Sequence, residues 1–152
     1  MLHFAYGSNM HRGLMHRHAP AAEPLGVAVL ADHRFIVTAD GYASIERARG
    51  DCVHGVLWRL SRRDRAALDD WENIAGGLYR ARSLVVRGAG GDRPALVYVG
   101  RVRPRGRPKT GYMEVVIDAA RDWRLPPGYI AGLKLWLPPG RYAADRRRQE
   151  FM

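Results

Sequence analysis

Two short stretches of this chain carry the residue types that acid–base chemistry uses. Between Arg62 and Ile74, Leu68, Trp71 and Ala75 recur at i, i+3 and i+7 and mark the inward face of an expected helix, and Glu72 falls at i+4 on that face. An ionised carboxylate aimed at apolar neighbours is costly unless it is paired. Glu72 is therefore either matched to a cation, with Arg80 and Arg82 close in sequence, or kept for a chemical purpose. The helix leaves both open. The second stretch is Tyr6-Gly7-Ser8-Asn9. A glycine at a strand end permits a sharp turn and close approach of a ligand, and successive amide N–H groups at a helix start favour an anion. Ser8 and Asn9 add side-chain donors. By itself the stretch reads first as a turn and helix cap, and neither the later glycines of a dinucleotide fingerprint nor a Gly-Lys-Ser/Thr follows it.

The elements that must position these residues read as follows. A short strand over 2–6 runs into the tight turn, which opens a helix from about Asn9 to His18, stopped by Ala19-Pro20. Residues 26–30, 34–38, 43–45 and 53–58 read as separate antiparallel strands, with turn chemistry at Ala31-Asp32, Asp40-Gly41 and Gly50-Asp51. Ser61 with Asp64 signals the N-cap of the helix over 62–74, which Gly76-Gly77 ends. Two strands, 79–87 and 94–102, flank a glycine-rich connection over 88–92. Tyr112, Val115, Val116, Ala119, Ala120 and Trp123 repeat at helical spacing, and Pro126-Pro127 starts a last helix over 128–136. Strands in a row with helices inserted late predict an α+β fold, a curved antiparallel or mixed sheet closing towards a barrel with helices packed on it. One domain over 1–137, followed by a basic C-terminal tail over 138–152 that is poorly ordered, is the expected organisation.

Phe4-Ala5-Tyr6-Gly7-Ser8-Asn9-Met10 resembles the F-x-Y-G-S-N-L signature of the γ-glutamylcyclotransferase, or AIG2-like, family. Leu68-Asp69-Asp70-Trp71-Glu72, followed after a glycine-containing turn by Tyr79-Arg80, is similar to the second signature, L-D-x-x-E with a Y-R strand start. The likeness continues through Val97-Tyr98-Val99, Tyr112 and Leu125-Pro126-Pro127-Gly128-Tyr129. It implies a small, mostly antiparallel mixed β-barrel with flanking helices. It also implies Glu72 as catalytic acid/base, Tyr6, Gly7, Ser8, Asn9 and Met10 lining the substrate cradle, and Tyr79 and Tyr112 reaching the pocket. Met10 replaces the usual leucine, and Asn73 stands where relatives often place glycine.

The implied reaction suits these residues. A γ-glutamyl amide carries its own nucleophile, the α-amino group, which reaches the γ-carbonyl to close a five-membered ring. One carboxylate can remove a proton from that amine and return one to the leaving amine, and partial burial raises its pKa towards both tasks. Backbone donors at the Gly7-Ser8-Asn9 turn stabilise the oxyanion, each worth roughly 3–4 kcal/mol. The expected partner is a small γ-glutamyl substrate, with no metal or cofactor required.

The net charge of +10 raises a competing reading, a non-catalytic basic module that contacts nucleic acid through Arg101–Lys109 and the tail. Both basic runs read instead as exposed linker or terminus, and that stretch lacks the interleaved aromatics of a single-strand binder. His3, His11, His16, His18, His33 and His54 lack metal-ligand spacing and read as solvated; nothing in the spacing makes Ser8 a triad nucleophile; and Cys52, the single cysteine, reads as a small packed side chain. Tyr112, on an apolar stripe, reads as core with its hydroxyl seeking a partner. One cysteine, no apolar run of signal-peptide length before 11–18 and no membrane-length apolar segment together predict a cytoplasmic protein without membrane contact.

Overall fold

A computed structural model describes residues 1–138, so the expected tail lies almost wholly outside the described residues. Five strands close into a barrel in the order β1-β3-β2-β4-β5. They are β1 (Leu2–Ala5), β2 (Glu23–Val37), β3 (Ala43–Arg59), β4 (Tyr79–Gly88) and β5 (Gly91–Gly100). Neighbours pair antiparallel, except where β1 meets β5 in parallel at His3↔Leu96. The helices α1 (Arg12–His18), α2 (Arg62–Trp71), α3 (Tyr112–Asp122) and α4 (Pro127–Lys134) flank the barrel. This is the α+β mixed barrel expected from the sequence. Among the described residues no helix is long and apolar enough to cross a membrane.

The four separate strands read between 26 and 58 are in fact two long ones. Pairs run without chain reversal from Val27↔Val56 to Ala31↔Cys52, then resume at His33↔Arg47. The turn chemistry at Ala31-Asp32 and Gly50-Asp51 makes a bulge: Asp32 takes φ +58°, Gly50 takes φ +85°, and the Gly50 N–H donates to Asp32 Oδ1 at 3.1 Å. A bulge and a hairpin turn call for the same residues, so local sequence does not separate them. The β4–β5 connection is likewise tighter than expected, with Gly88 pairing directly with Gly91 at φ +91°.

The segment expected as a free basic linker is strapped to the β2–β3 hairpin. Arg101 makes a fork to Asp40 at 2.8 and 2.9 Å, Arg105 reaches Glu46 at 3.3 Å, and the Gly106 N–H donates to the Val37 carbonyl at 3.0 Å. The side chains remain exposed while the backbone is held. α3 is buried on nearly every side, since the first turn of the chain and α4 both pack on it, and the Trp123 indole donates to the Met10 carbonyl at 2.8 Å.

Gly55 sits where β3 passes under β1. A Cβ there would lie 2.3 Å from the Ala5 carbonyl oxygen and 2.8 Å from the Phe4 ring, and strand backbone cannot yield as a flexible side chain would. Gly55→Ala is therefore expected to cost about 2–3 kcal/mol and to lower the melting temperature by about 5–10 °C by circular dichroism. An unchanged transition would contradict the close approach.

Candidate active site

Glu72 is half-buried and caps the end of α2 rather than standing within it. The helix starts as expected, Ser61 Oγ accepting the Asp64 N–H at 3.1 Å, but stops at Trp71, short of the expected Ile74. Asn73 then adopts φ +52°, a left-handed conformation that asparagine accepts more readily than most residues, and its Oδ1 accepts the Gly76 N–H at 3.1 Å. That reversal turns Glu72 towards the barrel mouth. The inward face is also narrower than read: Leu68 is fully buried, but Trp71 is 37% exposed with its ring stacked 4.0 Å from His18, and Ala75 is exposed.

On the facing side, β1 ends and the chain enters a 3-10 turn, Ser8–Met10, closed by the Met10 N–H to the Gly7 carbonyl at 3.1 Å. Gly7 is required for contact rather than for its torsions. A Cβ there would lie 2.9 Å from the Tyr112 hydroxyl and 3.4 Å from Ala43 Cβ. That hydroxyl accepts the Ala43 N–H at 3.2 Å, while the Tyr79 hydroxyl donates to the Ala43 carbonyl, so two tyrosines grip one peptide unit from either side. Tyr6 donates to the Tyr98 carbonyl at 2.5 Å.

These groups surround one cavity of about 190 Å³. Tyr6, Gly7, Ser8 and Asn9, together with Glu72, Tyr79 and Tyr112, all contribute to its wall. Met10 does not. Expected in the cradle, it is wholly buried in the core beneath the turn, because the third residue of the 3-10 turn is directed inward. The Asn9 amide donates to Glu72 Oε1 at 2.9 Å, and among the described residues Glu72 has no ion pair. Arg80 and Arg82, the cations considered for it, line a different cleft. Burial raises the Glu72 carboxyl from 4.5 to about 7, with the Asn9 hydrogen bond pulling the other way. Burial, together with neighbouring tyrosines and Glu72, also holds the Tyr6 and Tyr79 hydroxyls well above their usual range. The cavity thus contains a carboxyl that exchanges its proton near neutrality among hydroxyls that keep theirs.

Sequence reasoning did not assign every residue of the wall to the site, and His3 and Tyr98 are among the polar ones it left out. His3, read as solvated, is 2% exposed. Its Nδ1–H donates to the Leu96 carbonyl at 3.0 Å, and burial lowers its pKa to about 4, which leaves a neutral ring. Tyr98 donates to Asp69 Oδ1 at 2.7 Å. Four-residue β1 is buried on both faces, so alternation gave no signal for His3. Elsewhere, His11 caps α1 by accepting the Leu14 N–H at 3.2 Å, and Cys52, expected to be packed, is exposed with Sγ 3.5 Å from His54 Nε2. Among the described residues no group of three or more His, Cys, Asp or Glu is placed to hold a metal ion.

The sequence profile of the AIG2-like family matches residues 52–133, more than half of the chain. The chain belongs to the AIG2-like family. Among curated relatives, the γ-glutamylcyclotransferase of Mus musculus is 28% identical, covering 93% of this chain and 80% of the mouse protein. That of Homo sapiens is 27% identical, covering 88% and 77%. A solved γ-glutamyl cyclotransferase structure superposes with a TM-score of 0.84 at 26% identity, covering 92% of this chain and 89% of that one. YkqA from Bacillus subtilis, 23% identical, shares the fold at a TM-score of 0.77, over 89% of this chain and 53% of that one.

Two consequences of this geometry are measurable. In the unfolded chain Glu72 ionises at its ordinary pKa, whereas the folded protein keeps the proton until about pH 7, so the folded state binds more protons between those values and stability falls as pH rises through them. Glu72→Gln should therefore match the wild type near pH 4 and exceed it by up to about 3 kcal/mol at pH 8 in urea titrations, at roughly 1.36 kcal/mol per pKa unit. A glutamine variant less stable than wild type at pH 8 would contradict the desolvated carboxyl. The second concerns Gly7. Gly7→Ala should cost about 1–3 kcal/mol by overpacking against the Tyr112 hydroxyl, and part of that loss should return in Gly7→Ala/Tyr112→Phe, a coupling readable in a double-mutant cycle. Strict additivity would show that the two groups do not meet.

Proposed function

We propose that the protein is an enzyme that cyclises γ-glutamyl amides to 5-oxoproline with release of the amine. One observation carries this reading: a carboxyl with its pKa raised to about 7 shares a small cavity with the Gly7–Ser8 turn and has an amide rather than a cation as its hydrogen-bonding partner. The γ-glutamylcyclotransferase names of the mouse and human relatives support the reaction class.

In the proposed reaction Glu72, as carboxylate, takes a proton from the substrate's α-ammonium group. The freed nitrogen attacks the γ-carbonyl carbon, the new C–N bond closes the ring, and the carbonyl oxygen becomes an oxyanion. Donors at the Gly7-Ser8-Asn9 turn and the Tyr112 hydroxyl stabilise that charge. Glu72 returns its proton to the leaving nitrogen as the original amide C–N bond breaks. The ring nitrogen, which still carries two hydrogens after the attack, gives up the second through the same carboxyl to the departing amine. 5-Oxoproline thus leaves with a neutral ring N–H, the amine leaves as an ammonium and Glu72 ends as the carboxylate. A pKa near neutrality suits both halves, since a carboxylate with the ordinary value is too weak a base to take the first proton from an ammonium group efficiently. Asn9 favours the charged form and orients it, while Tyr79 fixes the Ala43 backbone that Tyr112 also contacts.

Incubation with a panel of γ-glutamyl amines and peptides, with 5-oxoproline read by mass spectrometry, should show turnover on at least one member. Glu72→Gln should lower kcat by about 10²–10⁴-fold or more. The acidic limb of kcat/KM should bend at an apparent pKa of about 7, since only the ionised carboxylate accepts the first proton. Equal turnover by the glutamine variant would remove Glu72 from the reaction.

A further inference from the structure

β2 meets β4 at only two pairs, Ala28↔Gly88 and Val29↔Arg87. Beyond them the β2–β3 hairpin and the β4–β5 ladder diverge, leaving a second cleft of about 380 Å³ between the far half of the hairpin and the start of β4. It is separate from the cavity that contains Glu72, with which it shares no lining residue.

The lining of this cleft carries five arginines, Arg47 from β3, Arg80 and Arg82 from β4, and Arg101 and Arg103 beyond β5. Its single lining carboxylate, Glu46, is already engaged by Arg34 at 2.9 Å and by Arg105 at 3.3 Å. Asp40 is shared by Arg101 at 2.8 Å and Arg103 at 4.0 Å. The side chains of Arg47, Arg80 and Arg82 are exposed and make no hydrogen bond or ion pair with any described residue. Guanidinium groups scattered over a surface need no explanation beyond hydration. Gathered in a concavity they repel one another, and low-dielectric walls focus their field on any anion that enters. Each offers a planar fork that matches phosphate oxygens in pairs. The buried hydroxyl residues Thr38 and Ser44 also line the cleft. No Phe, Tyr or Trp is among its lining residues, and His33 is the one ring there, so it lacks the run of large aromatic faces on which successive bases stack.

We propose that this cleft is an anion site for a short phosphate chain, two or three phosphoryl groups long, held by Arg47, Arg80 and Arg82. Three unpaired cations suit a compact, multiply charged chain better than a single carboxylate. The chain has two sources, free polyphosphate or the phosphates of a nucleotide, and with three unpaired guanidinium groups and no Phe, Tyr or Trp in the lining the phosphates are the recognised part.

The test is isothermal titration of the full chain with sodium tripolyphosphate at low salt, repeated with ATP and with a single-stranded RNA of matched charge. Tripolyphosphate should bind, with affinity falling steeply as salt is added. Arg80→Ala/Arg82→Ala, checked for unchanged circular dichroism and melting, should bind at least about tenfold more weakly, a loss of about 1.4 kcal/mol. Glu72→Gln should bind as the wild type does, which separates this site from the other cavity whether or not the protein proves to be a cyclotransferase. ATP binding no tighter than tripolyphosphate supports the free chain as ligand, and tighter ATP binding supports the nucleotide as source. No saturable heat with tripolyphosphate, or equal binding by the double variant, overturns the site. Tighter binding of the RNA per phosphate overturns it in favour of an extended nucleic-acid surface.

Discussion

A hydrogen bond from the Asn9 amide to the Glu72 carboxylate, 2.9 Å long and spanning 63 residues of sequence, joins the two halves of the candidate site. The first turn of the chain and the end of α2 have no other reason in sequence to meet. Each delivers a polar group to a place where water is scarce, and each group is costly there without the other. An arginine at this position would have held the carboxyl ionised through the neutral range. An amide satisfies one oxygen while leaving burial to dominate, so the carboxyl stays poised.

The surrounding structure keeps that poise by limiting what can approach. Tyr79 and Tyr112 grip the Ala43 peptide, Tyr6 is tied to the Tyr98 carbonyl, and the Tyr98 hydroxyl is tied to Asp69. Burial raises the pKa of all four phenols, so they act near neutrality as fixed dipoles rather than as competing acids. The close approach of Gly7 to the Tyr112 hydroxyl sets the width of the cavity at its turn side. On this account the barrel is the rigid frame, and the two loops at its mouth carry the reactive groups.

What was legible in the sequence came from the order and spacing of two signatures more than from either residue set alone. Glu72 could equally have been matched to a cation, and the glycine-serine-asparagine turn by itself is an ordinary turn and cap. Asn73, where the resemblance led to an expectation of glycine, takes a left-handed torsion that asparagine accepts. What stayed illegible depends on contacts distant in sequence. Met10 and Ser8 sit in the same short turn, yet one faces the core and the other the cavity, and no periodicity applies to three residues. His3 lies in a strand too short for alternation to show, and the Asp32–Gly50 bulge uses the same residues as a hairpin turn. Arg80 and Arg82, plausible partners for Glu72 by sequence distance, are carried by β4 to a separate cleft.

The central claim is that the Glu72 carboxyl is held out of water without a cationic partner. Carbon-13 NMR of selectively labelled glutamate side chains, with Glu72 assigned by its absence in the glutamine variant, reads that carboxyl directly across pH 3–10. The account predicts a midpoint of about 7 for this resonance. A Glu72 midpoint at its ordinary value of 4.5 or below would contradict it, because the carboxyl would then be hydrated or paired.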